Sequence, residues 1–393
     1  MHRPLRPVTF PKSSVTFAEI RSLVWWLLIA LLLIGFAVTD GFDLGTGMLL
    51  PFAGRDDNER RVIINSVGPV WEGNQVWLIL GGGAIFAAWP QLYAVSFSGF
   101  YLAMFAILVA LIVRPVAFKF RSKREEPAWR ARWDWALFVS GFVPALIFGV
   151  AIGNVLQGVP FRFSDDMHIF YDGSFFGLLN PLALLCGLVS VAMLVMHGGA
   201  WLQLKTQGAV ADRARLYGSV AAIVTIALYA AAGIALWLWV DGYGVTSALP
   251  VTGPSNPMLK TAELQPGAWF INYAAHAWLW LAPGAGFAGA LLALLGLRLR
   301  REVLGLLGSA LGIAGIILSV GASMFPFILP SSIDLPASLT VWDSSSSHLT
   351  LFIMLVVTAV FIPIIVAYTS WVYHVLWVKV DAEAIRDDRG HAY

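Results

Sequence analysis

The chain has 393 residues, of which 59% are hydrophobic and only 12% are charged, and its mean hydropathy is +0.76. Because a soluble domain contains about 25% charged residues, this composition excludes an ordinary soluble protein and indicates an integral membrane protein. The formal net charge of +2 gives no reason to expect a nucleic-acid partner. The single cysteine, Cys186, excludes an intramolecular disulfide and a cysteine-ligated cluster.

Nine apolar segments are close to the ~20 residues that a helix needs to cross a bilayer. The runs are long and continuous, which favours helices over barrel strands, so we predict an all-α membrane protein. The predicted transmembrane domain covers residues 23–378, after an N-terminal extension (1–22) and before a tail (379–393). A tight turn at Trp89-Pro90-Gln91 is expected between spans two and three. The expected spans are residues 23–44, 73–92, 95–115, 135–155, 175–200, 217–240, 272–296, 302–325 and 349–378.

The distribution of Lys and Arg predicts the orientation, since positive residues favour the cytoplasmic side. They concentrate in the connections after spans one, three, five and seven and in the C-terminal tail. The other connections hold only Arg162 and Lys260. We therefore expect an outer N-terminus and a cytoplasmic C-terminus, although the basic residues before span one run against the rule.

Two carboxylates lie near the end of the first span. Asp40 and Asp43 are three residues apart and so share a helix face. A charge at membrane depth costs ~2.5–3.5 kcal/mol and often marks an ion or proton route. The alternative is that both lie in the interfacial layer as polar residues of a helix end. Small residues at every fourth position, Ala37, Gly41 and Gly45, indicate a central helix and favour the buried interpretation.

The second span begins with a polar segment between Val70 and Trp77. Its Glu72, Asn74 and Gln75 either carry protons or water into the bundle or form a capped polar helix start, and the residues alone do not decide between these. Arg114 follows a long apolar run. It either extends to the headgroups, which is the favoured interpretation, or pairs with a buried acid.

Other polar residues suggest structural roles. Asp343 and the serines after it are expected to cap the ninth helix, with ligand binding as the weaker alternative. The histidines lack the i, i+4 spacing of a helical metal site, so we predict no metal site and no catalytic residue on this chain. Four histidines lie in or at the ends of spans: His197, His276, His348 and His374. A haem-ligating role for any one of them is the disfavoured alternative.

Taken together, the polar segments resemble subunit II of cytochrome bd-type quinol oxidases, most closely the enterobacterial type. The resemblance runs from about residue 20 to the C-terminus, and the matching segments occur in the same order and with the same spacing as in the family. The segments that carry it are 35–43, 65–66, 71–77, 86–90, 97–101, 114–115, 153–160, 324–332 and 338–343.

This resemblance implies two four-helix bundles plus an additional helix, in a bacterial cytoplasmic (inner) membrane. It implies a heterodimer with subunit I, which carries haem b and haem d. The complex would oxidise quinol at the outer face and reduce dioxygen to water with cytoplasmic protons, building a gradient without pumping. The same resemblance allows two further components. One is a small single-span subunit, and the other is a structural quinone bound to this chain beside membrane lipid.

The resemblance also implies residue roles. Glu72 matches an acidic position on a cytoplasmic proton path, which Asp40, Asp43 and Asn74 would join. Trp77 matches a residue near an oxygen-access channel. Val70 stands where other members carry His, so a mechanism that needs an imidazole at this position is in doubt.

The competing hypothesis is a polytopic secondary transporter or channel. Intramembrane acids and helix-breaking prolines suit such a protein. Against it, the two halves of the sequence show no repeated half-helix pattern.

Overall fold

The computed structural model describes residues 17–247, 249, 255–380 and 385, and 77% of these described residues are helical. Residues 1–16 of the predicted N-terminal extension and most of the predicted tail lie outside the described residues. The helices are α1 (Phe17–Ala53), α2 (Asp57–Val67), α3 (Trp71–Ala88), α4 (Pro90–Gly99), α5 (Tyr101–Phe120), α6 (Pro127–Gln157), α7 (Pro181–Lys205), α8 (Gly208–Trp239), α9 (Ile271–Ala275), α10 (Leu281–Arg298), α11 (Glu302–Met324) and α12 (His348–Val375).

Eight helical segments in the described part of the chain are long and apolar enough to cross a membrane. The predicted count of about nine is close to this number. The remaining predicted span corresponds to α3, whose first turn is polar and which meets α4 at Trp89. The predicted third span is divided at Phe100 into α4 and α5.

The helices pack in two groups along the chain. In the first group, α6 packs against α1 and α5, and α3 packs against α1. In the second group, α8 packs against α7 and α10, and α10 packs against α11. Helix α7 also contacts α1 and α6 and so joins the groups, while α12 lies against α1 and α3. This arrangement confirms the predicted helical membrane fold.

Glycines bring neighbouring helices into backbone contact. A side chain on Gly45 of α1 would collide with the backbone of Leu194 in α7, so the small-residue stripe predicted in the first span does face another helix. The α10–α11 contact is about as close, because a Cβ at Gly289 would collide with the backbone nitrogen of Gly312. Close approach of this kind replaces the hydrophobic driving force that is missing between helices in lipid.

Three short antiparallel hairpins lie in connections that we expected to be on the outer side, and none was predicted from the sequence. Their strands have two to five residues, too few for a period-two pattern to stand out from the neighbouring loops. They pair β1 (Phe161–Phe163) with β2 (Ile169–Tyr171), β3 (Asp241–Val245) with β4 (Ala262–Pro266), and β5 (Phe327–Leu329) with β6 (Leu339–Thr340).

A buried ion pair joins two of these connections. The Nζ of Lys260 lies 2.8 Å from Oδ2 of Asp343, and both side chains are almost fully buried. Burial lowers the pKa of Lys260, and the charge of Asp343 partly offsets this shift. Asp343 also accepts from the backbone N–H of Thr340. The cap expected at the start of the last span is formed by one of the serines, because the side chain of Ser347 accepts from the backbone N–H of Thr350 at the start of α12. The part of that expectation that concerned Asp343 was wrong.

Candidate functional site

A buried ion pair between α1 and α5 is the first element of the site. Arg114 Nη1 donates to Asp40 Oδ1 at 2.6 Å, with side-chain exposures of 3% and 0%. The favoured prediction that Arg114 extends to the headgroups was therefore wrong. A buried carboxylate without a cation would cost several kcal/mol, and Arg114 supplies that cation within the bundle.

The second element links three helices through hydrogen bonds. Asn74 Nδ2 of α3 donates to Asp43 Oδ2 at 2.8 Å. The Tyr373 hydroxyl of α12 donates in turn to Asn74 Oδ1 at 2.6 Å. Asp40 and Asp43 are both buried and lie ten or more residues before the end of α1 at Ala53, so they are not polar residues of a helix end.

Glu72 lies two residues from Asn74 but on the opposite side of the α3 helix. Its side chain is exposed, and the adjacent Gly73 has open space where a Cβ would be. The structure thus brings together three of the four predicted proton-path residues, Asp40, Asp43 and Asn74. The fourth, Glu72, lies in the same turn of α3 as Asn74, but on the exposed face of that helix.

The charge of this cluster determines its chemistry. Asp40 and Asp43 are two carboxylates, and among the described residues Arg114 is the one cation paired with them. With both carboxylates ionised, the buried group would carry a net negative charge, which is costly in a low-dielectric interior. One added proton makes the cluster neutral. The arrangement is therefore suited to holding and releasing a single proton.

Trp77, the predicted oxygen-channel residue, packs against α1 and lines a groove. Its ring packs on Gly35 of α1, where a Cβ would approach the ring to 3.0 Å. The groove has a volume of about 480 Å³. Its lining residues come from α1, α3, α12 and the segment just after α12, and are Thr39, Trp77, Val366, Thr369, Ser370, Tyr373, His374 and Trp377.

The buried histidine does not provide a haem site. His197 is the only buried histidine among the described residues. Its Nε2 lies 2.8 Å from the carbonyl oxygen of Val38, and its Nδ1 lies 2.7 Å from the hydroxyl of Ser309. Both ring nitrogens are thus engaged, so neither is available to haem iron. The described part of the chain also contains no group of three or more His, Cys, Asp or Glu side chains placed to hold a metal ion.

Sequence reasoning missed one member of the cluster, Tyr373, and did not find the partner of another, Arg114. Tyr373 is 299 residues from Asn74 in sequence, so no local pattern could pair them. Arg114 was noticed, and its pairing with an acid was considered, but the partner 74 residues away could not be identified.

The comparisons with known proteins agree with one another. Residues 21–376 match the profile of cytochrome bd terminal oxidase subunit II. A probable cytochrome oxidase subunit 2 from Haemophilus influenzae is 49% identical over 376 residues, covering 95% of this chain and 99% of the relative. Cytochrome bd-I ubiquinol oxidase subunit 2 from Escherichia coli is 48% identical over 375 residues, with the same coverage.

More distant proteins give the same result. Cytochrome bd ubiquinol oxidase subunit 2 from Bacillus subtilis is 31% identical over 361 residues, covering 91% of this chain and 96% of the relative. The fold is similar to a chain of the bd oxidase from Geobacillus thermodenitrificans, with a TM-score of 0.67, 15% identity, and coverage of 91% and 98%. These findings do not favour the transporter hypothesis. The chain belongs to the cytochrome bd terminal oxidase subunit II family.

Proposed function

We propose that this chain pairs with a haem-bearing subunit I in a complex that oxidises quinol and reduces dioxygen to water. The names of the relatives from E. coli and B. subtilis, both ubiquinol oxidase subunits, support this reaction. The engaged nitrogens of His197 support a partner that carries haem b and haem d. When bound there, the haems supply the electron transfer and oxygen chemistry.

The buried acid cluster is the single observation that carries this chain's part in the reaction. Asp40, Asp43 and Asn74 lie together inside the first helix group, and one proton neutralises the cluster. In our proposal, protons from the cytoplasm pass Glu72 and this cluster on their way to subunit I. Proton uptake on one side and quinol oxidation on the other build the gradient, so no pumping step is needed.

The exposed face of α3 and α12 is the proposed contact with subunit I. Glu72 lies exposed in the first turn of α3, and a carboxylate facing lipid at this depth is costly. A protein partner relieves that cost. Of the 28 residues of α12, only Leu351 is buried, so this helix too has an apolar surface for a neighbour.

The groove beside Trp77 is the proposed site of a structural quinone. Its wall combines aromatic and aliphatic side chains with the hydroxyls of Thr39, Thr369 and Ser370, which suits a ring with carbonyls and an apolar tail. Trp77 is also the proposed lining of an oxygen route, since an apolar path into the bundle favours an uncharged gas molecule.

The proposed orientation follows the distribution of positive charge. The transmembrane domain, residues 23–378, crosses the bacterial cytoplasmic membrane with residues 1–22 on the outer side and 379–393 in the cytoplasm. The hairpins β1–β2, β3–β4 and β5–β6 then lie on the outer side, where quinol is oxidised.

Purification through a tag on this chain tests the proposed function. We expect a second large membrane subunit to co-purify, with haem b and haem d bands in the reduced-minus-oxidised visible spectrum. Quinol-dependent oxygen consumption should accompany these bands. A colourless homo-oligomer, obtained under conditions that keep a known bd oxidase intact, would contradict the proposal.

A further inference from the structure

A small cavity lies on the other side of the acid cluster from Glu72. Its volume is about 20 Å³. A cavity needs roughly 10–15 Å³ to hold one water molecule, so this space has room for one. Its polar wall comes from Ser140, whose hydroxyl donates to the carbonyl of Leu137, and from three further residues, Asp43, Thr46 and Arg114. Apolar side chains of α2, α5 and α6 contribute much of the rest: Ile63, Ile64, Val67, Phe118 and Leu137.

Each of these three polar residues has a buried atom without a hydrogen-bond partner among the described residues. The atoms are Oδ1 of Asp43, Oγ1 of Thr46 and Nη2 of Arg114. An unsatisfied buried polar group costs about 1–3 kcal/mol. One water molecule satisfies all three, because it donates to the carboxylate, accepts from the guanidinium and can do either with the hydroxyl. A buried water typically has two to four such partners.

Thr46 differs from other hydroxyl-bearing residues of the spans. Thr39 donates to the carbonyl of Gly35, and Thr225 donates to the carbonyl of Ala221, each one turn back in its own helix. A threonine in a helix commonly satisfies its hydroxyl in this way. Thr46 makes no such bond, although it is 2% exposed. Its hydroxyl is therefore free to bind a molecule in the cavity.

We propose that this cavity binds one water molecule, which Arg114 and Thr46 orient toward Oδ1 of Asp43, and that this water exchanges protons with Asp43. The inference rests on the proposed proton path and extends it to the side of the cluster that faces α2 and α6. In the transfer step, the water gives one proton to Oδ1 while its oxygen takes one from a hydronium ion supplied by the aqueous phase. The O–H bond lost by the water is replaced, so the net change is one proton added to Asp43.

Thr46→Val tests the proposal, because valine keeps the shape of threonine and removes the hydroxyl. In the purified complex with subunit I, we expect haem content to be unchanged and turnover with quinol to fall about fivefold. This factor corresponds to the ~1 kcal/mol of one hydrogen bond. Electron cryo-microscopy should show a water between Asp43, Thr46 and Arg114 in the unaltered complex but not in Thr46→Val.

Two further variants sharpen this test. Thr46→Ser keeps the hydroxyl and should restore both the water and the turnover. Thr225→Val is the matched control, since Thr225 is equally buried but already donates within its own helix in α8. We expect this variant to turn over like the unaltered complex.

The outcomes separate this inference from the proposed function. No water in the unaltered complex, or full turnover in Thr46→Val, would overturn the inference. If Asp43→Asn abolishes turnover while Thr46→Val does not change it, the inference fails and the proton path stands. If neither variant changes turnover, the proton path itself has failed.

Discussion

Arg114→Met is expected to destabilise the protein by about 3–5 kcal/mol, the usual cost of removing one partner from a buried ion pair. Methionine fills much of the space of the arginine stem but leaves the carboxylate of Asp40 fully buried without its cation. Thermal unfolding of the purified complex, followed by intrinsic fluorescence and by haem release, measures the loss.

Two comparisons test the cause of this loss. The double variant Arg114→Met with Asp40→Leu removes both charges and should recover part of the lost stability, because no ion stays unpaired. Arg162→Met is the matched control. It breaks an ion pair with Asp172 in which both side chains are about half exposed, and such pairs contribute only ~0.2–1 kcal/mol. Equal losses in Arg114→Met and Arg162→Met would contradict the account.

Gly289→Leu is expected to separate α10 from α11 and to destabilise the second helix group by at least ~3 kcal/mol, at the upper end of overpacking effects. Its Cβ would collide with the backbone of Gly312, which cannot move aside as a flexible side chain can. The yield and the thermal stability of the complex in mild detergent report the effect.

Gly284→Leu is the matched control for Gly289→Leu. It lies on the same helix, α10, and a Cβ there meets no atom within 4 Å in the described structure. We expect this variant to be close to the unaltered protein. A loss at Gly284 as large as that at Gly289 would mean that leucine harms α10 for reasons other than its contact with α11.

The sequence predicted the site as far as local patterns reach. Asp40 and Asp43 stood out because charged residues are rare inside a long apolar run. The small residues at 37, 41 and 45 indicated that their helix is central, and Gly45 does meet α7. Asn74 was noticed because a cluster of polar residues begins an otherwise apolar segment.

The pairings within the fold could not be predicted in the same way. The contacts Arg114–Asp40, Tyr373–Asn74 and Lys260–Asp343 join distant parts of the chain. A charge or a hydroxyl in a single sequence shows that a partner is needed, but not which one. The prediction for Asp343 failed for this reason: one of the four serines that follow it, Ser347, does cap α12, but the cation that pairs with Asp343 lies on another connection.

The central claim is that the buried acid cluster and the exposed Glu72 carry protons for oxygen reduction. The most direct test is quinol-driven turnover of the complex carrying Asp43→Asn, with Glu72→Gln measured beside it. Both replacements keep the size of the side chain and remove the exchangeable proton. The account predicts that haem content stays unchanged while turnover falls by at least tenfold in each variant. Full turnover with full haem content in both variants would contradict it.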